Sequence, residues 1–248
     1  MRARHTSLSL LAATLLVTGS ALAQDSTKSD KKEDKLEDRA KSAAHVLANL
    51  VSDPKTSPPN KLLRSAVCIA IVPSVKSAAF VVGGQVGYGL ASCRVGAGWS
   101  LPTYISLKAG SVGFQVGGAA TDVALIFTHD DAPKLIAGSN FQIGGQASVA
   151  AGPVGSQIGA NTDFKEGSSI YSYSTKGAGL FAGVSLAGSD VHVDDKGNRR
   201  AYPEGSVPVT GDKSPEVAAL LKTAAGPKTP SIVKPFTDAL EKRIGSAR

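Results

Sequence analysis

Aromatic residues are few in this 248-residue chain, one Trp, five Tyr and seven Phe. A single-stranded nucleic-acid platform interleaves aromatics with basic side chains, whereas Tyr171 and Tyr173 have no basic run beside them. The sequence pI of about 9.4 raises nucleic-acid binding as a function, but without such a platform no nucleic-acid partner is expected. Histidines number four, and His45, His129 and His192 form no close ligand pair of the His-Glu-x-x-His kind, so neither a zinc site nor another metal is expected. The two cysteines lack a Cys-x-x-Cys spacing or a neighbouring His and do not read as catalytic. Residues 183–187, Gly-Val-Ser-Leu-Ala, resemble a nucleophile elbow around Ser185 with its last Gly replaced. That elbow needs a strand-turn-helix in a parallel sheet, and the flanking pattern here is that of an antiparallel strand. With no carboxylate pair standing out as acid and base, the sequence predicts no enzyme and no cofactor. Collagen-like and coiled-coil chains are excluded too, since Gly does not recur every third residue and no heptad run is present.

What the chain does have begins with a leader. Arg2 and Arg4 precede the apolar residues 8–17, and Ala21-Leu22-Ala23 places small residues at a cleavage site before Gln24. The pattern is that of a secretory signal peptide over residues 1–23; the apolar run is shorter than the roughly 20 residues of a membrane anchor. Beyond it no stretch reaches about 18 consecutive apolar residues, so the expectation is an exported, soluble protein, periplasmic or secreted. Glycine then dominates, with 21 of the 27 glycines falling in residues 83–188. That density would destabilise helices, and the middle of the chain is predicted to be β.

Past residue 23 the chain carries 25 basic and 20 acidic side chains, a net +5. Residues 24–41 hold six of each sign and cancel, so residues 24–34 read as a flexible charged leader. Residues 42–110 carry Lys55, Lys61, Arg64, Lys76, Arg94 and Lys108 against Asp53 alone. Either this segment forms one cationic surface suited to phosphate headgroups, or its cations are separate solvated side chains on different faces.

Leu36, Ala40, Ala43, Ala44, Leu47, Leu50 and Val51 recur at helical spacing, predicting an amphipathic helix over 36–51. Its polar face mixes charges, which favours docking on a core over lying on a membrane. From Val67 short apolar runs separated by Gly, Pro and Ser predict strands over 67–72, 78–82, 86–94, 103–108, 111–117, 122–128, 141–150, 168–175 and 179–186. Lys108-Ala109-Gly110-Ser111 reads as a hairpin turn. A short helix is expected over 132–137, capped by Asp131 and stopped by Gly138. Two more are expected near the C-terminus, one opened by Ser214-Pro215 and one ending at Ile244. Alternation in residues 170–174 places both tyrosines opposite Ile170. The fold class expected is α+β, a mainly antiparallel sheet folded over on itself, with an N-terminal amphipathic helix and C-terminal helices. Cys68 and Cys93 sit in two strand-like segments, and the alternatives are a bridge or two buried thiols. An oxidising compartment favours the bridge.

Five strings stand in order along the chain: residues 72–75 Val-Pro-Ser-Val, 80–84 Phe-Val-Val-Gly-Gly, 98–102 Gly-Trp-Ser-Leu-Pro, 110–117 Gly-Ser-Val-Gly-Phe-Gln-Val-Gly and 180–186 Leu-Phe-Ala-Gly-Val-Ser-Leu. Together with Thr121-Asp122-Val123 and residues 150–155, they resemble the SYLF-domain family, also known as an actin-regulator family, over about residues 60–202. The signal peptide and the cysteine pair resemble its exported bacterial branch. The resemblance implies a non-catalytic, lipid-binding domain; eukaryotic relatives bind phosphoinositide-rich membranes and some bind actin. In a bacterial envelope the corresponding ligand is an anionic phospholipid surface. The family often has a basic residue after its Tyr-Ser pair, whereas Thr175 follows Ser174 here and Lys176 comes one place later.

The expected organisation is a signal peptide over 1–23, the leader over 24–34, a SYLF-like domain over 35–205 and a helical extension over 206–248. Lys55, Lys61, Arg64 and Lys76 are the candidate lipid-binding residues, and Cys68 with Cys93 the candidate disulfide. The expected function is peripheral association with anionic membranes. The alternative is a structural or stress-related envelope protein that binds a protein partner, actin-like or of the envelope. An unrecognised hydrolase acting through Ser185 would be a third class.

Overall fold

A computed structural model describes residues 21–52, 57–79, 81–113, 119–152, 167–176, 179–182, 186, 188–207 and 215–245. The chain divides into two units, Met1–Lys32 and Glu33–Arg248. Residues 21–32 of the first are helical, as the beginning of α1 (Ala21–Leu50). This helix takes in residues 24–34, expected as a flexible leader; no Gly or Pro interrupts residues 21–50, and their Lys, Glu, Ala and Leu are good helix formers. In the second unit α2 (Asn60–Ser65) leads into a ten-stranded sheet.

The strands are β1 (Cys68–Ala79), β2 (Val81–Val95), β3 (Gly98–Trp99), β4 (Thr103–Gly113), β5 (Ala119–Phe127), β6 (Asn140–Gln142), β7 (Val149–Ala151), β8 (Ile170–Lys176), β9 (Gly179–Ala182) and β10 (Asp190–Val193). Their order is β6-β10-β4-β2-β1-β5-β8-β7, with β3 beside β2 and β9 beside β8. All pairs are antiparallel except β7 with β8. The helices between and after the strands are α3 (Ala132–Ala137), α4 (Asp195–Ala201), α5 (Val217–Leu220) and α6 (Lys234–Arg243). The fold is therefore α+β, a curled and mostly antiparallel sheet with an N-terminal helix and C-terminal helices.

Alternation along the strands divides the core between two faces. On one face Ile69, Ile71, Leu90, Tyr104, Ala124, Ile126 and Tyr173 meet Leu36, Ala40, Ala43, Leu47 and Leu50 of α1, Leu62 of α2 and Phe236 and Leu240 of α6. On the other, Cys68, Ala70, Val72, Ala91, Cys93, Leu125 and Phe127 meet Ala132 and Ile136 of α3, and Ile170 lies with them. Tyr173 and Ile170 thus go to opposite faces, as their alternation predicts.

The local punctuation was less reliable than the periodicity. Lys108-Ala109-Gly110-Ser111 is not a turn: Gly110 pairs with Gly84 and Ala109 with Gln85 in the middle of the β2–β4 ladder. The segment 78–82 does not form one strand, because β1 ends at Ala79 and β2 begins at Val81. A turn at residues 144–146 interrupts 141–150. Helix α3 has the predicted bounds, although Asp131 makes no side-chain cap bond. Ser214 lies outside the described residues, and α5 after it is four residues long. Strand β10 and helix α4 were not anticipated. They are joined by Asp194, whose carboxylate accepts from the Gly197 N–H at 3.0 Å and caps α4. Asn198 of α4 then accepts from the Tyr104 N–H at 2.7 Å and donates to Thr103 Oγ1 at 2.9 Å, fixing this helix to β4.

Cys68 and Cys93 face each other directly across β1 and β2 and form a disulfide. The Arg94 N–H donates to the Val67 carbonyl, which makes Cys68 and Cys93 a pair without mutual backbone bonds. Side chains approach more closely in such pairs.

Two glycines of β2 answer a close approach of β1. A Cβ at Gly89 would overlap the Ile71 carbonyl, and one at Gly87 would lie 2.6 Å from Val72 Cγ1 and 2.7 Å from Val75 Cγ2. Because the obstacle at Gly89 is backbone, Gly89→Ala is expected to cost about 1–3 kcal/mol of stability by overpacking, read as a lower urea midpoint.

Candidate functional site

Helix α1 buries its apolar stripe, with Ala40, Ala43 and Leu47 fully covered, so that stripe is a docking face and is not presented to solvent. From its polar side Arg39 reaches over the sheet. Its guanidinium lies 4.9 Å from the centre of the Tyr88 ring and 5.5 Å from that of Tyr104, and it pairs with Asp194 Oδ2 at 2.9 Å. The Tyr104 hydroxyl donates to the Leu36 carbonyl at 3.1 Å, securing the same helix.

On this same face of the long strands lie Tyr88, 47% exposed, and Val86, 38% exposed. They are the two exposed large hydrophobic side chains among the described residues. The register sets cations on both sides of Val86: it pairs with Lys76 of β1 and with Lys108 of β4. Directly paired residues share a face of a sheet, so Lys108, Val86 and Lys76 form one row across β4, β2 and β1. Both lysines are exposed. The row continues to Ala120 on β5 and to Asp190 on β10. It offers an apolar and aromatic centre between two flexible ammonium groups, and a lysine can lay its stem along apolar surface while its charge stays in water.

The five described cations of residues 42–110 therefore occupy several places. Lys61 and Arg64 are exposed on α2, whose Leu62 and Leu63 face the core. Lys76 is eight residues into β1, where it joins Lys108. Arg94 is not a surface charge: its guanidinium stacks 4.1 Å from the centre of the Trp99 ring and donates to the Gly245 carbonyl. Burial lowers its pKa, and Glu241 acts in the opposite direction. Lys55 lies outside the described residues, as does Ser185. Lys108 counts in the sequence as one of the six cations but not as a candidate site residue, and Val86 and Tyr88 are not indicated there; the alternation of Val86, Gly87, Tyr88 and Gly89 is the available signal, and only the pairing completes it.

Among the described residues no three His, Cys, Asp or Glu side chains are placed to hold a metal ion. No described helix is long and apolar enough to cross a membrane.

A family model described as Ysc84, Las17-binding protein actin regulator, matches residues 108–242. The chain is 32% identical over 155 residues to the SH3 domain-containing YSC84-like protein 1 of Xenopus laevis, an alignment covering 62% of this chain and 45% of the relative. It is 34% identical over 146 residues to the human protein of the same name, covering 58% and 42%. Against LAS seventeen-binding protein 3 of Saccharomyces cerevisiae it is 34% identical over 148 residues, covering 58% of this chain and 32% of the relative. The chain thus spans less than half the length of these relatives. The family match opens at Lys108 and leaves Lys76, Val86 and Tyr88 before it.

Proposed function

Because this chain belongs to the Ysc84 family, we propose that it is a non-catalytic module that binds anionic phospholipid at a membrane surface, and that it does so outside the cytosol as an exported protein. The observation that carries the proposal is the row Lys108, Val86, Lys76 beside the exposed Tyr88. Tyrosine favours the headgroup region, where an amphipathic ring sits half in water, and lysines on either side of an apolar centre can reach phosphate while their stems remain on the hydrocarbon side. The N-terminal signal pattern and the Cys68–Cys93 bridge support export.

Co-sedimentation with phosphatidylcholine vesicles, with and without phosphatidylglycerol, tests the proposal. Binding is expected only to the anionic vesicles and should weaken as salt rises, since exposed charges are screened. With about 1 kcal/mol for each lysine near an anionic surface, Lys76→Gln with Lys108→Gln is expected to lose about 2 kcal/mol, roughly thirtyfold in affinity. Lys61→Glu with Arg64→Glu measures whether α2 shares the contact. Binding that is equal on neutral vesicles, or absent from both, would sink the proposal.

The family's description as a Las17-binding actin regulator favours a second reading, a protein partner docked on the same face. Capture of one stoichiometric envelope or actin-like protein, lost on Tyr88→Ala and without vesicle affinity, would select it.

A further inference from the structure

We infer that Asp122 is a positioning residue that holds a one-residue bulge in β1 and thereby places Lys76 on the face of Val86 and Tyr88. The inference rests on the proposed membrane role only for its consequence in binding; the bulge is a matter of register. From Ile71, opposite Leu90, to Lys76, opposite Val86, β1 advances five residues while β2 advances four. From Val72, opposite Val123, to Val75, opposite Thr121, β1 advances three while β5 advances two. The extra residue appears against both neighbours, so it belongs to β1 and falls at Pro73-Ser74, with Asp122 as the single β5 residue opposite. Two residues against one is what defines a bulge.

The chemistry of the three residues fits that geometry. Proline has no N–H for the ladder, and Ser74 takes φ +49°, in the left-handed region. The Ser74 N–H, turned out of the ladder, donates instead to Asp122 Oδ1 at 2.8 Å. The bulge then changes which residues face which way. Before it, Cys68, Ala70 and Val72 point to the disulfide side; after it, Val75 does so and is 3% exposed. Were the same residues paired as a regular strand, with no bulge, Lys76 would continue the series of Cys68, Ala70 and Val72, on the side away from Val86. Gly87 and Gly89 leave room where the bulged strand presses on β2.

Neighbouring strands are about 4.8 Å apart, so Lys76 and Lys108, two strands apart on one face, lie within the span of a short amine-to-amine cross-linker. A Lys76–Lys108 cross-link is expected in the full-length protein. Asp122→Ala should lower its yield by about tenfold as the second amine loses its fixed place, with single-ended modification of Lys108 unchanged. Asp122→Asn keeps the acceptor oxygen and should restore the cross-link, as should Ser74→Gly added to Asp122→Ala. No cross-link in the unaltered protein, or an equal yield in Asp122→Ala, overturns the inference. Should Asp122→Ala fail to fold, amide exchange at Ser74 in the unaltered protein decides: protection supports the bond to Asp122, and exchange at the rate of a free amide overturns it.

Vesicle binding separates this inference from the functional proposal. If both hold, Asp122→Ala and Lys76→Gln cost affinity non-additively, whereas Asp122→Ala and Lys108→Gln add. A cross-link that responds to Asp122 in a protein indifferent to vesicles supports the bulge and rejects the lipid contact.

Discussion

Raising the pH above 10 is expected to unfold this protein steeply, by about 4 kcal/mol for each further pH unit once the phenols of the unfolded chain have ionised. Tyr104, Tyr173 and Tyr202 are all buried. Burial is the main cause that raises the pKa of each. At Tyr104 the Arg39 guanidinium opposes the rise and Asp194 and Glu37 add to it; Tyr171 adds at Tyr173, and Tyr104 at Tyr202. In the unfolded chain a tyrosine loses its proton near pH 10. Above that pH the folded state retains three protons that the unfolded state has released, so stability falls as pH rises. Below pH 10 both states hold them, and these groups impose no slope. Urea midpoints measured from pH 8 to about pH 11.5 give the slope, and three tyrosinate absorbances should appear together with the loss of structure. Tyr202→Phe, which keeps the ring but loses the hydroxyl bond to the Pro102 carbonyl, should reduce the slope by about a third. An unchanged slope would remove Tyr202 from the account.

These tyrosines also mark how far the sequence was legible. The alternation at Ile170, Tyr171 and Tyr173 was enough to assign faces, because one residue of slip would exchange the two sides of β8. The stripe from Leu36 to Leu50 predicted a docked helix, and mixed charge on its other side agreed. Helix α3 could be bounded from Asp131 before it and Gly138 after it, although Asp131 makes no side-chain cap bond. Gly110, by contrast, carries a turn signal yet lies in a continuous strand, because the eleven-residue ladder with β2 outweighs a local preference. The candidate surface was half legible. Lys76 was named, but with Lys55, Lys61 and Arg64, its neighbours along the chain. Its neighbours in space, Val86 and Lys108, come from two other strands, and the side it takes depends on a bulge held from β5. No local pattern encodes a relation among four strands. Arg94 shows the converse: it counts toward a cationic segment, whereas the Trp99 ring and the Gly245 carbonyl occupy it.

The disulfide connects the fold to the compartment proposed for it, and replacing Cys68 and Cys93 together by alanine is expected to lower the unfolding free energy by about 3.5 kcal/mol. The bond closes a loop with a sequence separation of 25, and restricting that loop in the unfolded chain gives this magnitude in the chain-entropy model. Its place in the fold directs the effect. The bridge joins the start of β1 to the end of β2, while Lys76 and Val86 lie toward the end of β1 and the start of β2, so its loss should lower global stability without altering the Lys76–Lys108 cross-link. Both sulfurs are buried, and a reductant reaches them only when the β1–β2 pair opens. Dithiothreitol should therefore leave the native protein oxidised for longer than the urea-unfolded one, as followed by thiol titration. If export is correct, protein recovered from outside the cytosol carries no titratable thiol even when denatured. Two free thiols in that fraction would contradict both the bridge and the oxidising compartment, and leave the Cys68–Cys93 contact as a packed pair.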